Sequence, residues 1–112
     1  MFSGCENLIN IDLSSFDWTS LIEMNEMLSG CESLTSIDLS SFDSKNIKSM
    51  EGAFEFCEKL INIDLSTFNT KNLININDIF YGCTNLINID LTSFDINKIN
   101  NKENIFDKCF NL

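Results

Sequence analysis

The chain of 112 residues has no proline, histidine, arginine, valine or glutamine. Without histidine, a serine or cysteine nucleophile lacks its usual general base, and the mixed Cys/His quartets that hold zinc cannot be assembled. No Gly-rich phosphate loop is present either, so the expectation is a non-enzymatic protein with no catalytic residue, no metal site and no cofactor. Seven lysines stand against 17 acidic residues, giving a formal net charge of −10. The resulting field repels nucleic-acid phosphates and anionic lipid headgroups, so neither is an expected partner. No apolar run approaches the roughly 18 residues needed to span a bilayer, and the opening MFSGCENL lacks the basic stretch and apolar core of a signal peptide.

What is present is 44% hydrophobic residues, enough for one small folded domain, arranged with a strict period. Cys5, Cys31, Cys57, Cys83 and Cys109 lie 26 residues apart. Aligned on them, the chain divides into units 1–26, 27–52, 53–78 and 79–104 with a partial fifth at 105–112, all within one domain. Leu8, Leu34, Leu60, Leu86 and Leu112 share one column; Phe16, Phe42, Phe68 and Phe94 share another. So fixed a period implies units that pack chiefly on their neighbours.

Within each unit the apolar spacing changes. Around LINIDLS, Ile11 and Leu13 alternate with Asn10, Asp12 and Ser14, the period of a half-buried strand. Strands are predicted near 10–14, 36–40, 62–66 and 88–92. Ile47, Met50, Phe54, Cys57 and Leu60 then follow at spacings of three or four, which predicts a short helix near 46–56 and its equivalents. Ser44, Thr70, Asn46 and Asn72 are candidate N-caps, and Gly4, Gly30 and Gly82 candidate left-handed stops. The expected fold is an α/β leucine-rich-repeat solenoid, right-handed, with a parallel sheet on its inner face and short helices outside.

The phrase LINIDLSSF is similar to a leucine-rich-repeat strand motif, and IDLSSFDSKNIKSMEGAFEFCEKL resembles the BspA-like repeats of bacterial and protist surface proteins, found also in mycoplasma lipoproteins. The resemblance covers essentially the whole chain. It implies a curved α/β solenoid with a surface-exposed binding or adhesion role, and it names no ligand. Lys102 departs from the inward column of Met24, Met50 and Ile76, and Lys108 from the glycine column.

Alternation turns Asp12, Asp38, Asp64 and Asp90 away from the core. With Asn10, Ser36, Asn62 and Asn88 before them and Ser14, Ser40, Ser66 and Thr92 after them, they form a polar strip of three columns. Two readings stay open: solvated strand residues multiplied by duplication, or a contact strip for a protein or other macromolecule carrying Lys or Arg. A flat row of single carboxylates supplies fewer oxygens than calcium wants. Trp18, the one tryptophan, is either a contact anchor or a cover over exposed core. The cysteines read as buried thiols serving as small apolar filler. The expected function is an adhesion-type binding segment of a surface or secreted protein. The alternatives are an inert spacer or a cytoplasmic protein–protein scaffold, with end-to-end self-association as a further expectation.

Overall fold

The computed structural model describes residues 2–112. Among the described residues only two strands form, β1 (Asn62–Asp64) and β2 (Asn88–Asp90), and they pair in parallel with Asn62 opposite Asn88, Ile63 opposite Ile89 and Asp64 opposite Asp90. A second parallel contact on another side of each unit runs Glu23 to Ser49 to Asn75 to Asn101. All these partners are 26 residues apart, so the sequence period is also the stacking register.

No helix is present among the described residues, which overturns the predicted helix near 46–56. The reason lies in where the amides go. In an α-helix each N–H returns to the carbonyl four residues back. Here alternate amides leave the unit altogether: those of Met24, Glu26, Leu28 and Gly30 donate to the carbonyls of Ser49, Glu51, Ala53 and Glu55 at 2.8–3.0 Å. The intervening amides of Met27, Ser29 and Cys31 close four-residue turns onto the carbonyls of Met24, Glu26 and Leu28. Ala53, Glu55 and Cys57 repeat those turns one unit on. A chain of such turns buries every third or fourth residue, as a helix does, while half its hydrogen bonds run between units.

The strands are shorter than predicted for an equally local reason. Asp64 Oδ1 accepts the amide of Ser66 at 2.9 Å, and Asp90 Oδ1 that of Thr92 at 2.9 Å. The carboxylate thus bends the chain immediately after the third extended residue. Near 10–14 and 36–40 no strand forms, and one bond, from the Thr35 amide to the Ile9 carbonyl at 3.3 Å, joins the two segments there. The molecule measures 31 × 30 × 20 Å. With no helical outer layer, two three-residue strands and a body as wide as it is long, the protein is a compact, turn-built globule. The right-handed α/β leucine-rich-repeat solenoid is not its fold.

The core fills the space between the strand side and the wall of turns. Leu34, Leu60 and Leu86 are fully buried, as are Leu65, Met50 and Ile76. Two aromatic stacks run through it. Phe42, Phe68 and Phe94 lie 5.5 and 6.5 Å apart, and Phe54, Phe80 and Phe106 lie 5.6 and 6.1 Å apart, all close to parallel. The proposed caps have different work: Ser44 Oγ accepts the amide of Asn69 and Thr70 Oγ1 donates to the Ser93 carbonyl. Likewise Asn46 and Asn72 donate side-chain amides to the Thr19 and Lys45 carbonyls. They clamp neighbouring units together.

Left-handed backbone recurs in two columns. One is Gly4, Gly30, Phe56, Gly82 and Lys108; the other is Glu26, Gly52, Asp78 and Asn104. At Gly82 the need is double, because φ is +73° and an added Cβ would lie 2.6 Å from the Phe56 ring. Phe56 itself, at φ 56°, packs edge-on against Tyr81 at 5.5 Å.

Candidate functional site

The bend that ends each strand also shapes the polar strip. Asp12 Oδ1 accepts both the amide and the hydroxyl of Ser14, at 2.9 and 2.6 Å. Asp64 with Ser66 and Asp90 with Thr92 repeat both distances, and Asp38 accepts the Ser40 amide at 2.9 Å. The hydroxyl and then the amide hold the Asp12, Asp64 and Asp90 carboxyls below the usual carboxylate range. One oxygen of each is committed to the turn. The other, Oδ2, takes no part in these bonds.

Asp12, Asp38 and Asp64 are exposed and Asp90 is half-buried. Asn10, Ser36, Asn62 and Asn88, and Ser14, Ser40, Ser66 and Thr92, are exposed beside them. The Asn88 side-chain amide donates to Asn62 Oδ1 at 3.1 Å, so the asparagine column links across units. A depression of about 370 Å³ opens between Asp12 and Asp38, with Ile11, Leu13, Ser14, Ser40 and Ser41 in its walls. Pairing sets Asn62 beside Asn88 and Asp64 beside Asp90, and the depression brings Asp12, Ser14, Asp38 and Ser40 together.

Trp18 is elsewhere. It is 5% exposed, its ring stands 5.2 Å from Phe16 and 4.8 Å from Phe42, and Nε1 donates to the Leu13 carbonyl at 3.1 Å. The ring joins the aromatic stack and offers a partner almost no area. Among the described residues, no group of three or more Asp, Glu or Cys side chains is arranged to hold a metal ion.

Sequence reasoning missed an apolar row next to the strip. Ile9, Ile61 and Ile87 are 62%, 42% and 55% exposed, with Thr35 in the same column. A groove of about 310 Å³ follows this row, lined by Thr35, Lys59, Ile61, Asn85, Ile87 and Asn111. Alternation hid the row: Ile9, Ile61 and Ile87 stand two places before Ile11, Ile63 and Ile89, in the inward phase, so the pattern assigns them to the core.

The turn at each aspartate gives a direct test. Asn keeps an oxygen for the Ser66 amide and hydroxyl, whereas Ala does not. Asp64→Asn is expected to melt close to the parent at pH 7 and Asp64→Ala clearly below it, measured by circular dichroism. Because the folded carboxyl titrates low, its contribution is present above the ordinary value of 3.8 and is lost as pH falls below it. The gap between parent and Asp64→Ala should narrow in acid only by the part the charge supplies, since the protonated carboxyl, like Asn, still offers an oxygen to the Ser66 amide. An equal loss in both variants at pH 7 would show that charge, not the turn, is what the position supplies.

Fold and surface define a repeat-built protein whose turn-rich units stack in a 26-residue register and carry one side-chain strip through all of them. The sequence matches the family described as "Mycoplasma protein of unknown function, DUF285" over residues 1–112, and the chain belongs to that family. No curated protein and no solved structure matches it.

Proposed function

We propose that this chain is a non-enzymatic, adhesion-type binding segment of a surface or secreted protein, contacting a macromolecule carrying Lys or Arg through the aspartate strip. The observation that carries the reading is order before binding. Each aspartate in the strip is held by a local turn, so a partner would meet carboxylates whose side-chain freedom is already restricted. The likeness of LINIDLSSF and IDLSSFDSKNIKSMEGAFEFCEKL to the BspA-like repeats of surface proteins supports the placement outside the cell.

Replacing Asp12, Asp38, Asp64 and Asp90 together with Asn removes four charges and leaves an acceptor for each turn. Binding of the fluorescent chain to cultured animal cells, read by flow cytometry, should fall at least about tenfold, the loss that corresponds to roughly 1.4 kcal/mol. Unchanged binding by a variant with an unchanged melting temperature would make the strip inert and the segment a spacer.

A further inference from the structure

The apolar row is not part of the core, yet the fold holds it in line. Backbone bonds from Thr35 to Ile9, from Ile61 to Thr35 and from Ile87 to Ile61, at 3.3, 3.4 and 2.9 Å, tie its members together unit by unit. Aliphatic side chains kept in a row in water are the mark of a contact surface. Two acidic rows bracket it along the chain: Glu6, Glu32 and Glu58 three residues before, and Asp12, Asp38, Asp64 and Asp90 three residues after. Six of those seven are exposed, and Lys59 is the one cation lining the groove between them. Charge therefore selects a partner that is apolar along one stripe and basic on both sides of it.

Spacing selects its conformation. Members of the row on stacked units repeat at about 4.8 Å, the separation of neighbouring strands, so the four positions span about 14 Å. An extended peptide repeats side chains on one face about every 6.7 Å and falls out of step within two repeats. An α-helix advances 5.4 Å per turn and stays close to register across all four, using about three turns of chain. We propose that the row Ile9, Thr35, Ile61 and Ile87, with the groove that Thr35, Ile61 and Ile87 line, receives a basic amphipathic helix lying along the stacking direction. This assignment rests on the adhesion reading above and names the partner's chemistry.

The test uses the full chain and a fluorescein-labelled 15-residue peptide with Leu at helical spacing i, i+4, i+7 and i+11 and Lys at most other positions. Anisotropy should show saturable binding with Kd on the order of 10 µM. Far-ultraviolet circular dichroism should gain helical signal on mixing, a signal that the chain, with no helix among its described residues, does not mask. Ile61→Thr with Ile87→Thr, which copies the residue already at Thr35, should weaken binding at least tenfold without moving the melting temperature. A permuted peptide of the same composition without the stripe should bind at least tenfold less. Equal binding of the permuted peptide, or an unchanged double-Thr variant, reduces the effect to charge attraction and overturns the proposal. So does a dimer of the chain that the Thr variants dissociate, since the row would then serve a second copy. Cell binding lost in the four-Asn variant but kept in the double-Thr variant sinks the helix assignment alone. Cell binding indifferent to every variant sinks the adhesion reading beneath it.

Discussion

Phe80→Ala is expected to cost about 3–5 kcal/mol, a large part of the 5–15 kcal/mol that holds a domain of this size folded. Phe80 is fully buried in the central part of its stack, with Phe54 at 5.6 Å and Phe106 at 6.1 Å on its two sides. Removing the ring opens a cavity and strips a face from each neighbour at once. In urea the midpoint should drop steeply while the slope of the transition stays near that of the parent. Phe80→Leu should cost about 1.5 kcal/mol or less, since Leu28 already fills the same column two units earlier and packs fully buried. Phe16→Ala offers the control: Phe16 is 45% exposed, so its loss should be much the smaller. If the exposed and buried rings cost the same, the aromatic stack is not what holds the units together.

Much of the architecture could be read from one unit written above the next. The 26-residue spacing of the cysteines became the pairing register, Leu34, Leu60 and Leu86 of the leucine column became fully buried, and the glycines at 4, 30 and 82 took positive φ. What the sequence did not separate was a helix from a chain of four-residue turns. Both bury residues at spacings of three and four. The bonds that distinguish them leave the unit, and no property of a single unit records where an amide in Met24 or Leu28 will donate. One hint was available in the second left-handed column, where Gly52 aligns with Asp78 and Asn104, residue types that tolerate positive φ better than most. A helix interior would carry no such column.

The same physics explains the strip. Alternation turned the aspartates away from the core, but it could not say that Asp64 and Asp90 end the strands they stand in, or that no strand forms around Asp12 and Asp38. Asp12, Asp38, Asp64 and Asp90 each take the amide two residues on, so the phrase Asp-Leu-Ser is a corner as well as a surface. Trp18 shows the converse limit. A lone tryptophan in a column of Ser44, Thr70 and Ile96 gives no sequence signal of burial, and only the flanking rings of Phe16 and Phe42 decide its place.

The cysteine column should show a spread of reactivity of at least about 10³-fold within one chain. Cys5 is exposed, Cys31, Cys57 and Cys83 are buried, and Cys109 is half-buried, all as free thiols. From the second unit on, each thiol donates to a carbonyl of the preceding wall: Cys31 to Phe2, Cys57 to Leu28, Cys83 to Phe54 and Cys109 to Phe80, at 3.0–3.2 Å. Burial pushes the Cys83 thiol up to about 12 and raises Cys57 as well, because the anion would have to form away from water. At pH 8 the thiolate fraction of Cys83 is then about 10⁻⁴, against roughly a quarter for an unperturbed thiol, and the thiolate is the form that reacts. Iodoacetamide under native conditions should alkylate Cys5 within minutes and leave Cys57 and Cys83 intact, as peptide mass spectrometry would read. Urea should release both together with the loss of fold. In Phe80→Ala, where the wall beneath Cys83 and Cys109 is weakened, their labelling should accelerate before urea is added. Stoichiometric native labelling of Cys57 would contradict the buried column, since no surface thiol could keep its hydrogen bond to Leu28 and meet the reagent as well.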